Sequence, residues 1–536
     1  IQIYSDTVYI GNSTLSNGLL CMIWVGNGAS PTIYGNDINN VTYDVRSYYQ
    51  DTSDPSTTRW SAMAYGVLMD GSSAIVENND FADIGVFSTM SAVYYRNANN
   101  NVNEYQVIAA AVGSRNKNLL VESCEIVNTG ILERQSNTFD DAGNSVQQRF
   151  YRYSVAGIYG YGAVGSNLKI NTVAKSGYGM YIAVSTSTTG GPMDFDVIID
   201  NEIRSNELGG VMFDLTSVAR DCNINVSDNN MDNNGQMPTM GLDDSGLSVE
   251  VTSSTGDIAV IVMQNNFRNN VARGVHVGAN ANSGTLDVQV TSSNTFSGNG
   301  GAGLLVEMDT ISGNANILIE NSTFISNTPQ TNGDNGAIAI TGGSLTGSLT
   351  VKIADTTSSS NTGSGVYIAM GDGMSVNLAT NTKYTFINSA FSTNSAYGIY
   401  LYDNYGANAQ RAVYDWKDIH ASDNNQAVYV HSNSQLGNIN FQLDGLTAND
   451  ASTTATAVTL QLAAATYNPK SLLQDITINY AGGSAPSATG LTLQGTDENK
   501  RWLLDIYRAD ITQPGTALDA QVCEISALHS KLEGVG

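Results

Sequence analysis

Lysine and arginine are scarce: the 536 residues carry 23 of them against 49 Asp and Glu, a formal net charge of −26. Only 13% of residues are charged, so the acidity reflects missing cations rather than abundant carboxylates. That argues against nucleic acid as a partner, because neutralising phosphates takes clustered cations, and against docking on anionic lipid. Cysteine is rare too, at Cys21, Cys124, Cys222 and Cys523, with no C-x-x-C spacing. A zinc ribbon, a thioredoxin-type site and a disulfide scaffold all fall away, and buried free thiols are expected. No apolar run reaches the ~18 residues that a membrane-spanning helix needs. Histidine occurs only at His276, His420, His431 and His529, and no G-x-S-x-G, P-loop or H-E-x-x-H motif is present.

What is there is regular. Hydrophobic residues make up 41%, with 27 Tyr and 12 Phe, too much apolar material for a disordered polyanion. One phrase recurs: Ile203-Arg-Ser-Asn206, Met231-Asp-Asn-Asn234, Phe267-Arg-Asn-Asn270, Phe296-Ser-Gly-Asn299, Phe324-Ile-Ser-Asn327 and Phe391-Ser-Thr-Asn394. Its step is roughly 28 residues, the signature of a solenoid, propeller or array. Before it runs an alternating segment such as Leu286-Asp-Val-Gln-Val290; after it come a glycine and a second one, such as Gly303-Leu-Leu-Val306. Alternation of period two means strands with one face buried. A propeller blade needs about 40 or more residues per repeat, which leaves one coil of a parallel β-helix.

Stacking coil on coil at about 4.8 Å gives every backbone N–H and C=O a partner. Phe267, Phe296, Phe324 and Phe391 are then expected to stack inward, and Asn270, Asn299, Asn327 and Asn394 to form an amide ladder at the bend. The FxxN phrase, with the later Asn335-Gly-Ala-Ile-Ala-Ile340, resembles right-handed parallel β-helix repeats of the pectate-lyase-like superfamily, and those of polymorphic outer-membrane proteins and surface adhesins. The resemblance is clearest over residues 195–450. It implies an all-β fold: a single-stranded right-handed parallel β-helix of about 16–18 coils filling residues 1–536 as one domain. Insertions near 42–62, 133–154 and 233–245 read as projecting loops, and 516–536 as a short C-terminal covering segment.

Such repeats specify a fold far better than a function. The lyases that share them use acidic residues on calcium with an Arg or Lys base, and the hydrolases use clustered Asp with Gly-His-Gly and Arg-x-Lys elements; this chain has neither pattern, and no catalytic residue is assigned. Two Asp pairs, Asp140-Asp141 and Asp243-Asp244, read as solvated turns that would at most hold calcium weakly, the one cofactor the sequence admits. His276, between Val275 and Val277, is expected to face outward. Tyr48, Tyr49, Tyr151, Tyr153, Tyr402, Tyr405 and Trp416 sit near loops or strand ends; inward stacking in the solenoid is the plain reading, and stacking on sugars or anchoring an interface the functional one. The carboxylates are expected on outer faces and loops.

The reading that follows is an extracellular or cell-surface structural or adhesive protein, self-assembling into a filament or coat. Its partners are itself, neighbouring surface proteins or polysaccharide. Ile1–Ile10 alternate without a covering segment and are expected to dock on a neighbour's coil near Trp502–Tyr507 by strand addition. The rivals are a polysaccharide-active lyase, hydrolase or epimerase, and a phage-type tailspike.

Overall fold

The computed structural model describes residues 1–26, 28–42, 59–85, 104–130, 138–139, 145–146, 149–185, 192–198, 200–236, 245–329, 335–371, 381–405, 411–434, 438–450, 456–464, 470–480, 489–495, 502–513, 516–521, 523–528 and 530–534. Among them there is no helix. Among the described residues the strand pairings are parallel except for one short antiparallel pair, Thr138–Phe139 with Ser145–Val146, inside the expected 133–154 insertion. The fold is a parallel β-helix. The chain divides into two compact units: Ile1–Thr186 with Met193–Thr216 and Asn225–Ser248, and Ser187–Pro192 with Ser217–Ile224 and Val249–Gly536.

Each coil has up to three strands, which we call walls A, B and C. In unit 2 a representative coil runs through wall B (Ile258–Met263), wall C (Asn266–Arg268) and wall A (Val275–Asn280). Wall A strands number 17 among the described residues, within the range the repeat length gave. Parity decides what is inside: Ile258, Val260 and Val262 are buried while Ala259, Ile261 and Met263 are half-buried on the outer side. Each strand is in register with its counterpart one coil on, as Phe267, Phe296 and Phe324 are.

The corners explain the recurring phrase. Between walls B and C, and again after wall C, the chain turns through one residue with positive φ: Gln264 at 55° and Asn269 at 52° in the coil above. Short polar residues and glycine tolerate that conformation best. The residue after each such turn points inward and carries the ladder. After wall C of unit 2, the Asn270 Nδ2 donates to Asn299 Oδ1 at 3.0 Å and Asn299 to Asn327 at 2.9 Å, continuing through Asn361 and Asn394 to Asn424. The phenylalanine three residues earlier is fully buried, with ring centroids 5.0 Å apart from Phe267 to Phe296 and 4.4 Å from Phe296 to Phe324. Phe391 is buried as well but separated from Phe324 by Ser358 in the register. The glycine that follows is needed for packing: a Cβ on Gly303 would lie 2.6 Å from the Phe324 ring and 2.9 Å from Phe296 Cβ.

A second ladder lies at the corner between walls B and C. In unit 1 it links Asn36 to Asn79 at 2.9 Å and Asn171 to Asn201 and Asn229 at 3.1 and 2.8 Å. In unit 2 it starts with Asn265 and Asn294 and passes to Ser322, Thr356 and Ser389. Later coils of unit 2 fill the same corner with buried Ile419, Leu446, Ile476 and Ala509. There walls B and C join into single long strands such as Asn438–Asp450 and Lys470–Tyr480. Cys21, Cys124 and Cys222 are free thiols, and burial pushes Cys21 and Cys124 up to about 12, which leaves them unreactive.

Candidate functional site

The four aspartates of the two acidic pairs, Asp140, Asp141, Asp243 and Asp244, and the pair Tyr48 and Tyr49, lie outside the described residues. Tyr151 and Tyr153 belong to the strand Arg149–Tyr161 and Tyr405 to Tyr397–Tyr405, with only their backbone described. Trp416 is not a surface aromatic. It is fully buried, stacked on Phe386 at 4.8 Å, because it shares the inward parity of Ala412 and Tyr414. Tyr402 is half-buried on the outer side of wall A, stacked on His431 at 4.8 Å.

Tyr402 is part of a larger outer array in unit 2. Tyr367, Tyr400 and Tyr429 follow one another in register with nearly parallel rings, 4.9 and 5.1 Å apart. Gln461 accepts from Tyr429 at 3.2 Å, lies 3.0 Å from His431 Nδ1 and donates to Gln494. Rings stacked on each other present edges and hydroxyls to solvent, so the faces of Tyr400 are already occupied by Tyr367 and Tyr429. Stacking of a sugar on that ring is blocked.

His276 lies on the outer parity of wall A but is only 7% exposed. Its Nδ1 is 3.1 Å from Glu250 Oε1 and its Nε2 3.6 Å from Glu307 Oε2. The geometry depends on Gly278, in register with Glu307, because the Glu250 carboxylate occupies the space of a Cβ there. An imidazole held between two carboxylates is a stable ion triad when protonated. No cluster of three or more His, Cys, Asp or Glu suited to a metal occurs among the described residues.

The outer side of wall C in unit 2 is different. Thr295 and Ser297, Thr323 and Ile325, Thr357 and Ser359, and Ala390 and Ser392 occupy four successive coils in register. The following corner adds Gly298, Ser326, Ser360 and Thr393. None of these twelve positions is ionisable. The hydroxyls touch along the coil axis: Thr357 Oγ1 donates to Thr323 Oγ1 at 3.3 Å, and Ser360 Oγ is 3.3 Å from Thr393 Oγ1. With strands about 4.8 Å apart and residues two apart on a strand about 6.6 Å apart, the result is a grid of hydroxyl and methyl groups. Arg268 borders it on one side and His420 on the other.

Sequence reasoning passed over this face because each Thr and Ser reads as a filler around Phe and Asn. Only the register shows that they share one surface. Comparison of the chain with protein-family models, with curated proteins and with solved structures finds no match. No helix of the described residues is long and apolar enough to cross a membrane.

Proposed function

We propose that the chain is a structural and adhesive protein of the cell exterior, within the pectate-lyase-like β-helix class, that assembles into a filament or coat. The uncharged hydroxyl face of wall C in unit 2 is its adhesive surface. The observation that carries this reading is the contrast between a chain of net charge −26 and four consecutive coils whose outer wall C residues, with the corner that follows them, carry no charge. A neutral, hydrogen-bonding, periodic face suits a neutral, hydroxyl-bearing, periodic partner, and neutral polysaccharide has that chemistry. Each contact is weak. Repetition along the axis raises the effective concentration of the next contact, so retention grows with the number of coils engaged.

Co-sedimentation with insoluble neutral polysaccharides, and with anionic ones as the contrast, tests the reading. The native chain is expected to be retained on a neutral polymer. Replacing both Thr323→Lys and Thr357→Lys, at exposed positions, should cut retention by about tenfold or more by leaving buried charge at the contact. The same change at Asp80 in unit 1 should leave retention intact. A native chain retained on no neutral polymer, or a double-lysine variant retained as well as the native, would defeat it.

A polysaccharide-active enzyme is the second reading, and one observation favours it. Glu250 and Glu307 each set a carboxylate against His276, 3.1 Å from Nδ1 and 3.6 Å from Nε2. Two carboxylates beside one another on a surface can divide general-acid and general-base roles, as glycoside hydrolysis requires. Release of reducing ends by the native chain, abolished in Glu250→Gln and Glu307→Gln, would establish it in place of adhesion.

A further inference from the structure

Among the described residues, the core of unit 2 contains one acid that the adhesive reading does not use. The strand Tyr397–Tyr405 alternates Ile399, Leu401 and Asp403 inward with Tyr400 and Tyr402 outward. Asp403 is therefore fully buried, against the expectation that every carboxylate lies outside. Its Oδ2 accepts from the Tyr414 hydroxyl at 2.7 Å, and the Tyr384 hydroxyl also bonds to the carboxyl. Tyr384 and Tyr414 are themselves buried and stacked at 5.3 Å, two donors converging on one acid.

The other oxygen, Oδ1, has no hydrogen-bond partner among the described residues. The register sets Met370 beside Asp403 in the preceding coil and Ser432 in the next, and the buried Ser432 hydroxyl has no partner there either. The titratable groups facing Asp403 are thus Tyr384 and Tyr414, from the strands Asn381–Ser392 and Arg411–His420; the strands Ser364–Met370 and Gln426–Ser434 bring no charge to it. A bare carboxylate in such a place would need a cation or several donors. It has two donors, both neutral hydroxyls.

We propose that Asp403 is an internal proton-binding site: the folded chain holds it as a neutral acid at physiological pH, and its ionisation destabilises the coils around it. Burial raises its pKa well above the ordinary aspartate value, and the two tyrosine hydroxyls oppose that without offsetting it. The sign follows from linkage. An acid whose folded pKa lies above its unfolded value of about 3.9 binds more protons folded than unfolded between the two. Its stabilising contribution is complete below the unfolded pKa and is lost as pH rises towards the folded one, by about tenfold in the folding constant per pH unit. Most surface carboxylates act in the opposite direction, so the effect must be read as a difference.

The test compares unfolding of the full chain and of Asp403→Asn, which keeps the shape and removes the proton, from pH 4 to pH 9. The native chain should lose stability relative to the variant as pH rises, then run parallel once the folded pKa is passed. A constant difference, or a native chain that gains on the variant with pH, overturns the proposal. Should Asp403→Asn fail to fold, the infrared spectrum of the native chain decides. A protonated-carboxyl band at neutral pH that persists in heavy water and fades only at alkaline pH supports the site, and its absence at neutral pH overturns it.

Discussion

Wall C is built the same way in both units and dressed in opposite ways. In unit 1 the outer residues in register are Asp37, Asp80 and Glu125, followed by Thr172 and Glu202, with Arg204 paired to Glu202 at 3.0 Å. In unit 2 the equivalent row is Thr295, Thr323, Thr357 and Ala390. The inner rows differ too. Unit 1 stacks Ile38, Phe81, Ile126, Val173, Ile203 and Met231, whereas unit 2 stacks three phenylalanines face to face. Backbone pairing and the αL corners define the coil, and the two side-chain rows are free to diverge. Unit 1 spends its outer row on charge and solubility; four coils of unit 2 leave it neutral, with Phe296, Phe324 and Phe391 buried beneath three of them. A rigid, flat backing is what a surface of weak contacts requires.

The largest expected effect breaks the inner contrast. Phe296 is sandwiched between Phe267 and Phe324, so Phe296→Ala should cost roughly 3–5 kcal/mol by leaving a cavity that the flanking rings cannot fill. Phe81→Ala in unit 1, at the equivalent buried position between Ile38 and Ile126, should cost less, towards about 3 kcal/mol, because branched aliphatic neighbours close over the gap more readily than stacked rings. Peptide-resolved hydrogen exchange is the right measure, because coils open locally and a single unfolding midpoint would mix them. Equal costs at the two sites would show that the aromatic stack adds nothing special to unit 2.

A smaller effect is expected from the ladder. Asn299 accepts from Asn270 and donates to Asn327 and to the Phe267 carbonyl at 3.2 Å. Asn299→Ala leaves those buried groups without partners, at about 1–3 kcal/mol. Ser322→Ala at the other corner should cost less, because Ser322 donates one bond, to the Glu320 carbonyl at 2.9 Å. Exchange should rise in both adjacent coils for Asn299→Ala and stay local for Ser322→Ala.

These contrasts also show where the sequence was readable. The FxxN phrase with its glycine was legible because each residue has one job: ring inward, αL turn, amide ladder, close approach of the next ring. The other corner was not, since Asn265, Asn294, Ser322, Thr356 and Ser389 share only size and polarity, and the later Ile419 and Leu446 share neither. Asp403 was misplaced, and Trp416 left open between an inward stack and a surface role, for a different reason. Both were judged by residue type, an aromatic near a loop and a carboxylate, whereas strand parity set them inside with Tyr414 and Leu401. Counting by twos along Arg411–His420 and Tyr397–Tyr405 would have placed both. The neutral face could not be found that way, because it exists only between coils and depends on the register that aligns Thr295 with Thr323 and Thr357.

The smallest expected effect sharpens the outer contrast. Asp37, Asp80 and Glu125 stand one coil apart on an exposed wall, and like charges directly opposite on neighbouring strands repel. Asp80 has one such neighbour on each side, so Asp80→Asn removes two repulsions at once and should stabilise unit 1 by roughly 0.2–1 kcal/mol at low salt. Added salt screens the same repulsion over about 10 Å at 0.1 M, so the gain should shrink as ionic strength rises. Thr323→Asn in unit 2 provides the control: it alters an exposed hydroxyl in an uncharged row, and its small effect should not vary with salt. Hydrogen exchange at two salt concentrations separates these outcomes. If Asp80→Asn destabilises unit 1 at low salt, the three carboxylates are held by a favourable interaction rather than tolerated, and the contrast between an acidic wall and a neutral one must be drawn differently.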